Sequence, residues 1–294
     1  MKILVIGASG LLGGQLVKDF SEQNEVFGVD KNDKVDGIAY LDLLQKERIR
    51  DVFLKFKPEI ILLSAAITAV DWSEQNQDLA WRVNVEGAKE VAVAAKKHGG
   101  FLAFYSTDYI FNGKEGPYSE EDRPDPINFY GKTKLEAEQI IQKELDRFLI
   151  IRTCSIYGYQ REGKNFAMQS LNSLKAKETF KAFDDQFGTP TYAGDLSNIT
   201  LNLINSKKEG IFNVVGSDYV NRVQFAEEIA ETFNLDKGLI EKGSSEELRQ
   251  IAERPRKGGL KVDKLNLEVG IKPMSLSEGL CAMKTKAAKE MKNK

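Results

Sequence analysis

Short, uninterrupted apolar runs alternate with amphipathic stretches through the first half of the chain. Runs of strand length stand at 2–7, 25–30, 38–42, 59–66, 101–107 and 148–154. Between them, apolar positions recur at helical spacing over 11–23, 45–56, 73–98 and 127–145. A strand that is apolar on both sides is buried on both faces, and strands separated by helices can run parallel through right-handed crossovers. The pattern therefore predicts an α/β fold: a doubly wound parallel sheet covered by helices, with ligand at the carboxyl ends of its strands.

After Tyr157 the alternation loses its regularity. Helical spacing marks 165–177, 193–206, 221–234 and 275–291, and the run at 211–216 reads as a strand that rejoins the main sheet. The expected division is a dinucleotide-binding domain over 1–157 with a returning part near 191–216. Residues 158–190 and 217–294 then form a smaller, interleaved substrate-binding α/β lobe. The stretch 112–126, with prolines at 117, 124 and 126, is a long loop of the kind that often carries function.

Composition narrows the class. Charged residues make up 29% of the 294 and the net charge is −2, which gives no footprint for nucleic acid. The lysine-rich tail at 284–294 reads as a solvated helix. No apolar run reaches membrane-spanning length, and the chain opens directly on a strand, so neither a membrane segment nor a signal peptide is expected. Cys154 and Cys281 make no disulfide framework or metal spacing, which places the chain by default in a reducing, cytoplasmic setting. The single histidine, His98, stands where a helix stops at glycines, so neither zinc chemistry nor a Ser-His-Asp triad is expected.

Gly7, Ser9, Gly10, Leu11, Leu12 and Gly13 lie in a loop between the first strand and the first helix. Glycine lets the backbone turn tightly and approach a pyrophosphate, and the helix N-terminus presents unpaired N–H groups to it. Asp30, ending the next strand, can accept hydrogen bonds from a ribose diol. It would repel a 2′-phosphate, whereas Lys31 would attract one, so NADPH and NADH both stay open.

Tyr130 and Lys134 are four residues apart in a helical segment and share one face. Ser106 and Thr107 follow an apolar strand and can bring hydroxyls to the same place. An ionised phenol at pH 7 costs about 4 kcal/mol, and a nearby ammonium lowers that cost. The neutral phenol can protonate a carbonyl oxygen as hydride reaches carbon, with Thr107 adding a hydrogen bond to that oxygen.

These residues, with Asn84, carry a resemblance to the extended short-chain dehydrogenase/reductases. Within them the chain resembles the dTDP-4-dehydrorhamnose reductase family over nearly its whole length. The matching stretches are 65–74, 106–113, 128–138, 150–158, 184–196 and the Arg254-Pro255 pair. The resemblance implies NADPH-dependent (alternatively NADH-dependent) reduction of the C4 ketone of a dTDP-4-keto-6-deoxy sugar, as in dTDP-rhamnose biosynthesis. It assigns catalysis to Thr107, Tyr130 and Lys134. It adds Asp42, Leu43, Ala65, Ala66 and Asn84 to the cofactor contacts, together with Tyr130 and Lys134. Substrate contacts would come from Thr68, Val70, Ser106, Asp108, Asn165 and Arg254.

Three departures from the family pattern stand out. Ser155 stands where a tryptophan is usual, so the wall of the sugar pocket is altered. Lys257 and Gly258 follow Arg254-Pro255 in place of Asn and Ser. Some members bind Mg²⁺ through a glutamate of the first helix at a dimer contact; Gln15 here is a poorer ligand for a hard cation. No metal is expected, and a homodimer stays open. A dehydratase is disfavoured because Tyr109, not glutamate, follows Thr107-Asp108. A nucleotide-sugar epimerase and a non-catalytic subunit resembling the methionine adenosyltransferase β subunit remain as alternatives.

Overall fold

The computed structural model describes residues 1–292 except 33–34, 161–162, 164 and 249. The first half builds β1 (Lys2–Ile6), α1 (Leu11–Phe20), β2 (Glu25–Asp30), β3 (Ile38–Tyr40), α2 (Lys46–Phe56) and β4 (Ile60–Leu63). It continues with α3 (Val70–Gln75), α4 (Gln77–Trp81), α5 (Gly87–His98), β5 (Phe101–Thr107), α6 (Phe129–Glu144) and β6 (Phe148–Thr153). The second half adds β7 (Ile156–Tyr157), α7 (Phe166–Lys175), β8 (Phe180–Phe183), β9 (Phe187–Gly188), β10 (Thr191–Tyr192) and α8 (Ala193–Asn205). It ends with β11 (Gly210–Asn213), β12 (Val220–Asn221), α9 (Arg222–Phe233), β13 (Ile240–Gly243), α10 (Asp263–Val269) and α11 (Leu276–Lys292).

Seven strands form one parallel sheet in the order β11-β6-β5-β4-β1-β2-β3. Alternate residues of each strand enter opposite faces, which is why the runs are apolar throughout. Leu4, Ile6, Ile61, Leu63, Phe104 and Ile150 pack with Phe53 of α2, Val91 of α5 and Ile141 of α6. Ile3, Val5, Leu62, Tyr105 and Ile151 face the other way, onto Leu16 and Phe20 of α1 and Leu196 and Leu203 of α8. Each fully buried side chain of this size contributes about 1.5–3 kcal/mol. The returning strand predicted at 211–216 is β11, beside β6. Strand order reverses at β1, between β2 and β4, and that switch point opens a crevice at the carboxyl ends.

A separate cluster joins α7, α9 and α11 through Met168, Leu171, Phe225, Ile229, Leu280 and Met283. The lysine-rich tail is helical to Lys292 but not simply solvated: Met283 and Ala287 are buried, and Lys286 donates to Gln15 Oε1 at 2.9 Å. Its last two residues lie outside the described residues.

The continuous helix expected over 73–98 is corrected. It starts earlier, at Val70, breaks at Asn76, and passes through a π-helical turn at Arg82–Glu86 before α5. Apolar spacing alone does not register one extra backbone atom set per turn. The wider turn turns Asn84 inward, where its amide accepts from Ile67 N (2.7 Å) and donates to Ile67 O and Thr133 Oγ1 (3.0 Å each). The loop after β4 is thereby fastened to α6.

The loop at 112–126 is pinned rather than loose. Tyr118 stacks on Phe111 with ring centroids 4.3 Å apart, and its N–H donates to Gly259 O. Lys257 N–H donates to Gly113 O, and a side chain at Gly113 would overlap Pro255. The segment 252–260 thus straps the loop against the end of β5.

Candidate active site

A cavity of about 760 Å³ lies along the switch point, walled by the ends of β1, β2, β4, β5 and β6 and by the second-half lobe. At one end is the glycine loop. Gly7 has φ +97°, a conformation that L side chains rarely adopt, and a Cβ on Gly13 would overlap the Gly7 carbonyl. Gly10 caps α1 with no side chain across the helix N-terminus. Ser9, Leu11 and Leu12 share this wall.

The Asp30 carboxylate is held by the N–H groups of Ser9 (3.1 Å) and Asn32 (2.9 Å). Lys31 pairs with Asp42 at 3.0 Å. Burial raises the Asp42 carboxyl, but the Leu44 N–H and Lys31 outweigh it and leave it below the ordinary range. Leu43, Ala65 and Ala66 complete this half of the cavity. A backbone cradle, a bare helix end and a fixed carboxylate fit a nicotinamide dinucleotide. A fixed Asp30 carboxylate and a Lys31 paired with Asp42 at this end also leave room for either form of it.

At the other end β5 finishes in Ser106 and Thr107. Thr107 Oγ1 accepts from Tyr109 N–H at 3.2 Å, turning the chain into a short 3₁₀ helix, Asp108–Ile110. Asn128 caps α6 by accepting from Gly131 N–H at 2.9 Å, which sets Tyr130 in its first turn. A Cβ on Gly131 would overlap the Tyr109 carbonyl, so only glycine lets α6 approach the 3₁₀ turn this closely. Tyr130 meets Tyr109 edge to face at 5.9 Å, and Lys134 follows one turn later, 3% exposed.

Electrostatics here run against the simple picture of a lysine lowering the tyrosine. Burial pushes the Tyr130 phenol well above its ordinary value, and a hydrogen bond with Thr107 offsets only part of that. Lys134 gives its ammonium to Tyr105 O at 2.6 Å, above the Phe104 ring at 3.9 Å. Burial drops Lys134 to about 7, with Glu138 pulling the other way. The phenol is therefore held protonated, the form an acid needs.

Asp108, 3% exposed, accepts from Thr107 Oγ1 (3.3 Å), Cys154 Sγ (3.0 Å) and Gly259 N–H (3.0 Å). Burial raises its carboxyl in spite of these donors. Both its oxygens are thus engaged within the protein, although it lines the cavity. The hydroxyls of Ser106 and Thr153, on adjacent strands of the same wall, are buried with no partner among the described residues. Unsatisfied hydroxyls on a cavity wall are groups a ligand can complete.

Of the expected substrate contacts, Thr68, Val70, Ser106, Asp108 and Asn165 line the cavity. Asn165 also caps α7, accepting from Met168 N–H. Two expected site residues are not on the wall. Asn84 is the buried brace described above, and Arg254 pairs with Asp71 at 2.9 Å, on the strap. Sequence reasoning did not single out Thr153, Gln160 and Arg222, which do line it. For Arg222 the one local signal was a helix start: Asn221 with Gln224 three residues on.

The RmlD substrate binding domain family matches residues 1–288. The chain belongs to this family. Among its relatives, the dTDP-4-dehydrorhamnose reductase of Aggregatibacter actinomycetemcomitans is 30% identical over 95% of this chain and 97% of its own. The crystal structure of dTDP-4-dehydrorhamnose reductase from Bacillus anthracis in complex with NADP superposes with a TM-score of 0.90 at 31% identity, covering 97% of this chain and 99% of that one. The methionine adenosyltransferase 2 subunit beta of Danio rerio is 29% identical over 90% of this chain and 84% of its own. Relatives of this chain thus bear both enzymatic and subunit names.

Proposed function

We propose that the chain reduces the C4 ketone of a dTDP-4-keto-6-deoxy sugar with NADPH, or with NADH, in nucleotide-sugar biosynthesis. The observation that carries this reading is one cavity joining a dinucleotide cradle to Thr107, Tyr130 and Lys134. When bound, the nicotinamide cofactor supplies the hydride. Tyr130 holds the proton on its phenol oxygen and gives it to the ketone oxygen as that oxygen gains charge. Thr107 steadies the same oxygen. Lys134, lowered by burial to about 7 and donating to Tyr105 O, can steady the tyrosinate left after transfer only in its charged form.

Thr68, Val70, Ser106, Asp108 and Asn165 are proposed to border the sugar. Residues 1–157 and 191–216 hold the cofactor, and 158–190 with 217–294 close over the substrate. A cytoplasmic site of action suits two free cysteines, one of them exposed. No helix among the described residues is long and apolar enough to cross a membrane.

The test follows nicotinamide oxidation with dTDP-4-keto-6-deoxy sugars. Wild type turns over, and Tyr130→Phe is slower by about 10²–10⁴-fold with cofactor affinity retained. No oxidation by wild type with the cofactor demonstrably bound would sink the reductase reading. Co-purification with an adenosyltransferase in that case would place the chain with its non-catalytic relatives.

A further inference from the structure

Arg222 is the first residue of α9, and a capping box fixes its position. Asn221 Oδ1 accepts from Gln224 N–H, and Gln224 Oε1 accepts from Asn221 N–H, both at 2.8 Å. From there the side chain reaches across the cavity wall. Its Nη2 donates to Ser155 Oγ at 3.1 Å, and the guanidinium lies over the Phe166 ring at 4.9 Å.

Among the described residues no carboxylate lies within 4.0 Å of Arg222, the limit for an ion pair. A guanidinium has five N–H donors in a fixed fork, and the hydrogen bond to Ser155 uses one. Ser155 itself sits at φ +44°, and its small hydroxyl is what the guanidinium docks on. A bulky residue there, such as the tryptophan usual in the family pattern, would stand where Arg222 now lies.

Among the described residues, three cationic side chains line the cavity: Lys31, Lys134 and Arg222. Lys31 is paired with Asp42 beside the glycine loop, and Lys134 is committed to the Tyr105 carbonyl. Arg222 makes no ion pair among the described residues, although its charge acts at longer range on buried Asp108; it stands on the wall with Ser155 and Asn165, away from the glycine loop. A nucleotide sugar carries a diphosphate into the same cavity, and an anion taken out of water needs a cation with matching geometry.

We propose that Arg222 binds an anionic oxygen pair of the nucleotide sugar, taking the diphosphate in its fork. This rests on the reading of the cavity as a nucleotide-sugar site. The one other group with that chemistry is a carboxylate on the sugar ring, and the test separates the two.

Calorimetric titration of wild type, Arg222→Leu and Arg222→Lys uses dTDP, dTDP-glucose, dTDP-glucuronate and NADPH. Arg222→Leu weakens dTDP on the order of 10- to 100-fold and leaves NADPH binding unchanged, which also shows that the variant is folded. Arg222→Lys recovers part of the loss, since lysine supplies charge without the fork. Unchanged dTDP with a selective loss for dTDP-glucuronate over dTDP-glucose assigns the fork to a sugar carboxylate.

Equal affinity of wild type and Arg222→Leu for all three thymidine nucleotides overturns the proposal. If Arg222→Leu also loses NADPH, Arg222→Lys decides, and matching losses of dTDP and NADPH in it overturn the proposal. A chain that binds dTDP through Arg222 yet reduces no keto sugar sinks the reductase reading alone. Wild-type turnover with an unchanged KM in Arg222→Leu sinks this proposal alone. A wild type that binds none of the thymidine nucleotides overturns both.

Discussion

The two halves of the cavity are made of different material. Its glycine-loop half is largely backbone: a positive-φ Gly7, an uncapped helix start at Gly10, and a carboxylate held by two N–H groups. Its other half is largely side chains brought from far apart in sequence. Ser155 meets Arg222 across 67 positions, and Asp108 meets Gly259 across 151. Backbone cradles tolerate little change because a Cβ has nowhere to go. Side-chain walls can be re-cut one residue at a time, so substrate choice can shift while the fold and cofactor site stay put.

The sharpest way to break this contrast is Gly13→Val. The new Cβ would overlap the Gly7 carbonyl and crowd Ala8, both backbone groups that cannot swing aside. Overpacking of this sort costs about 1–3 kcal/mol and occasionally more. Cofactor affinity is expected to fall by at least about tenfold, with a lower melting temperature, measured by titration and thermal denaturation. A variant that binds NADPH like wild type would show that the loop is not a rigid cradle.

The same contrast explains what could be read from the sequence. Glycine loop, Asp30 and the Tyr130–Lys134 spacing are local: each lies at the end of one strand or within one turn and helix, and the apolar runs dictate those elements. The strap is not local. Arg254 finds Asp71, and Ala252 N–H finds the same carboxylate 181 positions away, so Arg254 looked like a substrate contact when taken from its motif alone. Asn84 is off the cavity wall for another reason. Its motif is genuine, but a π-helical turn spends its amide on Ile67 and Thr133. Arg222 carried no chemical signal until tertiary structure set it opposite Ser155.

Lys134 sharpens the comparison from the catalytic side, where one buried charge spans both materials. Its folded-state value of about 7 lies below the ordinary 10.5. Between those two the unfolded chain holds a proton that the folded chain does not, so raising pH across that window favours folding. Lys134→Met removes this dependence. Melting temperatures of the cofactor-free proteins, measured from about pH 7 to about pH 10, should therefore shift in favour of wild type relative to the variant. Parallel curves would mean that Lys134 is hydrated and that its ammonium is not a desolvated charge.

The smallest effect concerns cofactor choice, where the backbone half relies on two side chains. Asp30 is fixed by Ser9 and Asn32, and it opposes a 2′-phosphate by like charge. Lys31 favours that phosphate, but its charge is shared with Asp42 and its side chain is 67% exposed, so solvent weakens it. Asp30→Ala should raise the preference for NADPH over NADH by about tenfold, equivalent to about 1.4 kcal/mol. Lys31→Ala should lower it, by less, because an exposed ion pair contributes roughly 0–1 kcal/mol. Kd values for both dinucleotides at two salt concentrations check this, since added salt should erode the Lys31 effect first. If Lys31→Ala moves the ratio more than Asp30→Ala, the lysine is held toward the phosphate by the bound cofactor, and this edge of the cradle is built from side chains after all.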